Sequence, residues 1–214
     1  MPAEPVLLPW ERAWREALYG PGGFYRRPEG PAGHFRTAGH AAPELLAGSL
    51  ARLARNGDCT LVVDLGAGRG ELLTALAAVD DGLGLHGVDV VPRPAGLAPR
   101  IGWSLGAGSL AGLLRTRPAP RTPVLVVAWE LLDVVPCPVL ELDEAGALRT
   151  VTVDPRTGVE ELREPATAAQ LDWCRRWWPT DGAEPGDRIE VGAGRDAVWA
   201  GAVSAVAAGG PGIL

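Results

Sequence analysis

Residues 61–79, LVVDLGAGRGELLTALAAV, decide how this chain is read. Leu61 to Leu65 make a short, mostly apolar run of the kind needed by a strand buried on both faces. Gly66, Gly68 and Gly70 follow at alternate positions, where glycine permits a tight turn and close backbone approach. From Glu71 onward apolar residues recur at helical spacing. Strand, glycine turn and helix in immediate succession predict an open, mostly parallel α/β sheet covered on both faces.

The pattern continues on both sides. GLHGVDVV is a second strand ending near Asp89, Ile101 to Trp103 a third, and Ser109 to Leu114 a short helix. VLVVAWELLDVVP, residues 124–136, is the fourth strand and its exit. Upstream, Trp10, Trp14 and Leu18 fall on one face of an amphipathic helix. A Gly/Pro-rich loop then carries Phe24 and Tyr25, and a second helix runs from near Pro43 to Arg55. After Pro138 two antiparallel strands flank a turn at Glu144-Ala145-Gly146. Residues 160–187 read as polar and Pro-rich around Trp173, Trp177 and Trp178. A strand over Arg188 to Val191 and a helix over Asp196 to Ala208 follow, and Gly212-Ile213-Leu214 opens a further strand. The expected organisation is a helical, substrate-side cap over 1–56, an α/β core over 57–137, and a hairpin and Trp-rich insertion over 138–192. A return helix and the start of another core strand occupy 193–214.

Composition narrows the classes. The 214 residues include 29 Gly and 20 Pro, and every one of the 20 basic residues is Arg. This bias points to GC-rich coding rather than to an Arg-built surface. A net charge of −6 argues against a nucleic-acid backbone as the main partner. Cys59, Cys137 and Cys174 are too far apart for a CxxC redox or zinc spacing, so they read as ordinary thiols in a reducing compartment. No basic-then-apolar leader and no bilayer-length apolar run is present, which makes a cytoplasmic protein with no membrane partner the expectation.

The glycine turn has the form GxGxG, with Glu71 where the dinucleotide fingerprint needs its third glycine. A carboxylate at that helix start competes with a pyrophosphate, so a nucleoside without phosphates fits better. S-adenosyl-L-methionine is such a ligand, and the residues expected to hold it are Asp64, Gly66, Ala67, Gly68, Gly70 and Asp89. Asp64 either orders the turn or accepts from the ligand's ammonium; Asp89 accepts from both ribose hydroxyls. Glu130 and Asp133 leave the fourth strand at i, i+3, which on a helix turns both carboxylates to one side for a cationic acceptor such as a guanidinium. His34 is a substrate-side candidate, and His86, in an apolar strand, is structural. No third ligand accompanies His34 and His40, so no metal site is expected. Arg69 is either a surface residue or a ligand or partner contact. The three late tryptophans either line an acceptor pocket or pack in a core or interface.

The ordered set GFYRR, GHFRTA, LVVDLGAGRGELL and VVAWELLDVVP resembles the MidA-type S-adenosylmethionine-dependent methyltransferases. That family includes an assembly factor for respiratory complex I that methylates an arginine. The resemblance implies a Rossmann-like class I methyltransferase fold with an N-terminal helical extension and a β-rich insertion. Gly23-Phe24-Tyr25 matches its GYY-like element, and Gly33-His34-Phe35-Arg36-Thr37 its GDFxT element, with His34 in place of Asp. Residues 129–136 match its NExxDxxP element, with Trp129 in place of Asn. By comparison with that fold, the C-terminal strands are expected to be missing, leaving an apolar sheet edge. The resulting expectation is methyl transfer to a protein arginine. The alternatives are a small-molecule acceptor, or a non-catalytic binding or assembly protein. A nicotinamide dehydrogenase fits the glycine spacing poorly, and a homo-oligomer is compatible with the sequence.

Overall fold

The computed structural model describes residues 6–27, 33–34, 38–106, 108–117 and 122–214. In chain order its elements are β1 (Leu8–Pro9), α1 (Trp10–Tyr19), a 3-10 turn (Phe24–Arg26), α2 (Ala38–Ala41) and α3 (Pro43–Asn56). There follow β2 (Leu61–Leu65), α4 (Glu71–Val79), β3 (Gly84–Asp89), β4 (Ile101–Leu105), α5 (Ser109–Thr116) and β5 (Val124–Val127). After a second 3-10 turn (Leu132–Val134) come β6 (Val139–Leu142), β7 (Leu148–Val153), β8 (Glu160–Pro165) and α6 (Ala168–Trp177). The last three are β9 (Arg188–Glu190), α7 (Ala193–Gly209) and β10 (Gly212–Ile213). These residues form two compact units, one from Met1–Phe24 and Val135–Ala197, the other from Tyr25–Val134 and Val198–Leu214. Each unit thus joins two separated stretches of chain, whereas the sequence reading divided the chain consecutively.

In the second unit the strands run β10-β5-β2-β3-β4, and every pairing is parallel. Side chains alternate across the sheet. Val62, Leu85 and Leu125 pack with Ala47, Ala51 and Ala54 of α3 and with Leu73 and Leu76 of α4. Val63, Leu65, Val88, Val124 and Val126 pack with Leu110 and Leu114 of α5 and Ala202, Ala205 and Val206 of α7. Burial on both faces explains the apolar strand runs. Strand order reverses between β2 and β5, which places a topological switch point at their carboxyl ends, where open sheets bind ligands.

The further strand expected at Gly212 is present: β10 pairs with β5 through Gly212↔Val124 and Ile213↔Leu125, alongside the first two residues of β5. Ile213 also packs where a Cβ on Gly57 would stand, 2.3 Å from its Cδ1.

The first unit is an antiparallel sheet. β7 has β8 on one side, β6 and β1 along the other, and β9 beyond β6. Its core joins Leu140, Ile189 and Val191 to Cys174 and Trp173 of α6. The indole N–H of Trp10 donates to Glu160 Oε1 at 2.8 Å, and the Arg195 guanidinium lies over the Trp14 ring at 5.7 Å. Residues 160–187, polar and Pro-rich in the sequence, contain β8 and α6. A capping box opens α6: Gln170 N–H donates to Thr167 Oγ1, and Thr167 N–H to Gln170 Oε1. α7 likewise begins at Ala193 rather than Asp196. No described helix is long and apolar enough to cross a membrane.

Leu76 has no exposed surface, whereas Leu45 is 73 % exposed. Leu76→Ala is expected to lower unfolding free energy by about 2–5 kcal/mol, the ordinary cost of a buried cavity. Leu45→Ala should change it by less than about 0.5 kcal/mol. Urea denaturation of both variants checks the assigned core face.

Candidate functional site

The turn leaving β2 is built from three glycines in the left-handed region, Gly66 (φ +82°), Gly68 (φ +57°) and Gly70 (φ +79°). A Cβ on Gly66 would stand 2.7 Å from Leu131 Cδ1, and one on Gly70 would stand 2.6 Å from Leu97 Cδ1. Both glycines are therefore required twice, by backbone conformation and by space. Gly68 differs, since among the described residues a Cβ there would meet nothing nearer than Glu71 Oε2 at 3.6 Å. Its open side gives a ligand room to approach the backbone. Ala67 is buried, with its N–H donated to the Val88 carbonyl at 3.3 Å.

Asp89 ends β3 and braces this turn. Its Oδ2 accepts from Gly68 N–H at 2.8 Å and its Oδ1 from Val91 N–H at 2.9 Å. Burial raises the carboxyl above its ordinary range, opposed by the N–H donors of Val91, Gly68 and Val90, while Glu71 adds repulsion. Each oxygen carries two lone pairs, so these N–H donors leave acceptor capacity for a hydroxyl donor.

Asp64 lies inside the sheet, opposite Gly87 on β3 and Val127 on β5, and is 3 % exposed. Burial first, then the charges of Asp89 and Glu71, push it from 3.8 up to about 7. Glu71 occupies the start of α4: its Oε2 accepts from Arg69 N–H at 3.1 Å, and its Oε1 lies 3.5 Å from His40 Nε2. An anion already sits where a pyrophosphate would need the helix N-terminus.

Glu130 and Asp133 leave β5 differently from the sequence expectation. Glu130 adopts φ +52°, rare for a residue with a Cβ, and Asp133 lies in the 3-10 turn Leu132–Val134. They do not share a helical face, because that left-handed residue and a single short turn replace the helix. Both are exposed, as is Trp129 at 42 %. Leu131 between them packs on Gly66 and ties this exit to the glycine turn.

The sequence reading took Tyr25 only as a motif element. In the structure its half-buried phenol lies in the field of this exit. Burial, followed by the negative charges of Asp133, Asp89 and Glu130, holds it above the usual phenol range. The signal available was the GFY triplet at 23–25. Arg69 Nη2 donates to the Arg27 carbonyl at 2.7 Å, two residues beyond Tyr25. His34 is exposed in a turn, and Phe35, Arg36 and Thr37 of the same motif lie outside the described residues. His86 pairs its Nε2 with Ser104 Oγ at 2.8 Å and burial lowers its pKa, a structural arrangement. In the other unit, Trp173 packs in the core and its indole N–H donates to Asp196 at 2.8 Å. Trp177 is exposed, with the Arg176 guanidinium 4.8 Å from its ring centre. Among the described residues no group of three or more His, Cys, Asp or Glu is arranged to hold a metal ion.

No family model and no curated protein matches this chain. Solved structures do. An uncharacterised COG1565 superfamily protein from Burkholderia thailandensis aligns at TM-score 0.57 and 25 % identity, over 89 % of this chain and 52 % of its own. A second member from the same organism, a candidate methyl transferase bound to S-adenosyl-homocysteine, aligns at TM-score 0.59 and 24 % identity. That alignment covers 91 % of this chain and 53 % of the other. The chain therefore spans about half the length of the structures it matches. The shared architecture, parallel and antiparallel sheets with flanking helices, is consistent with a Rossmann-like methyltransferase fold.

The folded state keeps the Asp64 proton between its ordinary 3.8 and about 7, where the unfolded chain has released it. Stability contributed at this residue therefore falls as pH rises through that window. Asp64→Asn removes the titration. Relative to wild type, the variant should gain stability from pH 4 to pH 8, by about 4 kcal/mol at most. Urea denaturation across that range is the measurement, and a constant difference would contradict the assignment.

Proposed function

We propose that the crevice at the carboxyl ends of β2, β3 and β5 binds S-adenosyl-L-methionine and that the chain is a methyltransferase acting on an arginine guanidinium. One observation carries the cofactor half: Gly68, braced by Asp89 and open on its other side, sits beside an acid-occupied helix start. That combination suits a nucleoside with free ribose hydroxyls and opposes a phosphate. The bound S-adenosyl-homocysteine of the Burkholderia thailandensis structure supports the same ligand class.

The donor set fits that molecule. Asp89 accepts from the ribose hydroxyls with its remaining lone pairs, and the Gly66–Gly70 turn lets the ligand lie against the backbone. Asp64 stabilises the ammonium when ionised. S-adenosylmethionine, when bound, supplies a methyl group activated by a positively charged sulfur. Glu130 and Asp133 orient a cationic acceptor at the β5 exit and offset its charge, so catalysis rests on positioning and electrostatics. His34 is retained as a substrate-side contact. The exposed indole of Trp129 favours a second reading, a flat small-molecule acceptor. The setting we assign is a reducing compartment such as the cytoplasm, on the three buried free thiols.

Calorimetry with S-adenosylmethionine, S-adenosyl-homocysteine and NAD tests the cofactor. S-adenosyl-homocysteine should bind, and Asp89→Ala should weaken it at least about tenfold, because that variant loses both the hydroxyl acceptor and the Gly68 brace. Tight NAD binding without S-adenosylmethionine binding would overturn the proposal. Glu130→Gln and Asp133→Asn should leave cofactor affinity within about twofold while lowering transfer to arginine peptides. Transfer confined to small molecules from an extract would select the second reading, and none to any acceptor would favour a non-catalytic protein.

A further inference from the structure

We infer that Arg93 is a positioning residue for the cofactor, because it fixes the connection that seats Leu97 behind the glycine turn. This rests on the cofactor-binding reading and names what holds that turn in place. Residues 90–100 join β3 to β4 without a helix or strand of their own. Asp89 secures their start, its Oδ2 accepting from Gly68 N–H and its Oδ1 from Val91 N–H. The Trp103 indole N–H donates to the Val91 carbonyl at 3.2 Å. Farther along, Arg93 Nη2 donates to the carbonyls of both Leu97 and Ala98, each at 2.9 Å.

Leu97 is held by its backbone on both sides: its N–H donates to the Pro94 carbonyl at 3.2 Å, and its own carbonyl accepts from Arg93. Its side chain is buried in one cluster with Ala67, Leu72 and Leu73, and its Cδ1 fills the place of a Cβ on Gly70. Gly70 stands immediately before α4 and donates its N–H to the Ala67 carbonyl at 2.7 Å, closing the turn around Gly68. At native packing density a shift of Leu97 is felt by that turn. Arg93 thereby acts on the cofactor through Leu97 and Gly70. Arg100 provides the contrast. Exposed like Arg93, its guanidinium donates to the carbonyls of Ala77 at 2.9 Å and Leu83 at 3.1 Å, at the other end of α4.

The test is calorimetry of the full chain and its variants with S-adenosyl-homocysteine. Arg93→Ala should weaken binding about fivefold, a modest loss because the guanidinium is exposed. Both of its 2.9 Å bonds come from one nitrogen, which a Lys ammonium can replace, so Arg93→Lys should recover most of the affinity. Leu97→Val shortens the wedge while keeping it apolar, and should weaken binding by a similar factor of about five. The double variant Arg93→Ala/Leu97→Val should lose no more than the larger single loss, since both changes act through one contact. Arg100→Ala should leave affinity within about twofold. If S-adenosyl-homocysteine does not bind wild type, the cofactor reading fails and this inference with it. If it binds, this inference alone is overturned by an Arg93→Ala affinity within about twofold of wild type, or by no recovery in Arg93→Lys. Additive losses in the double variant, or an equal loss in Arg100→Ala, overturn it as well.

Discussion

Two leucine side chains set the shape of the crevice. Leu131, just past β5, and Leu97, in the segment after β3, press on the glycine turn so closely that neither Gly66 nor Gly70 could carry a Cβ. Close packing of this kind transmits position, because interiors of native density do not deform continuously. The turn leaving β2 and the exit of β5 are therefore packed directly against each other, through Leu131 on Gly66. The parallel sheet supplies the reason that they meet at all. Its strand order reverses between β2 and β5, and the two carboxyl ends diverge there into different connections.

That geometry concentrates negative charge. Asp89 and Glu71 raise the proton affinity of buried Asp64, Glu71 does the same to Asp89, and Glu130 and Asp133 add charge at the rim. Such a cluster costs stability when empty, most of all at Asp64, where burial is nearly complete. Proteins keep arrangements of this sort where a ligand offsets the cost. The left-handed backbone at Glu130 belongs to the same class: a strained residue that has a Cβ, placed at a strand exit, where glycine would relieve the strain but lose the carboxylate. On the proposed reading the compensation is a ligand positive at its sulfur and amino group, followed by a cationic acceptor.

Much of this was legible in the sequence, for a definite reason. Strands buried on both faces are predominantly apolar, so β2, β3 and β5 stand out without their neighbours. The glycine turn and Asp89 follow from strand-end placement in the same way. Elements that face solvent leave weaker traces. β8 is an edge strand reading EELREP, whose charges and proline keep it from further pairing but hide its strand character. α6 is poorly amphipathic, yet its start was written in the Thr167–Gln170 capping box. Two site features had no local signal. Nothing about Glu130 or its neighbours demands a positive φ, and the Arg69–Arg27 bond joins residues 42 positions apart. Both depend on tertiary packing that a single sequence does not display.

The GxGxG motif accordingly carries two kinds of information. Gly66 and Gly70 answer to this protein's own packing, since leucine carbons fill the space of the missing side chains. Gly68 answers to nothing so near, although it too has a positive φ and its N–H is fixed by Asp89. A glycine whose vacant side meets, among the described residues, one flexible carboxylate oxygen and nothing else within van der Waals distance is the position where a close backbone approach is of use to a ligand. An identical-looking trio thus separates into two residues that hold the crevice together and one that faces into it.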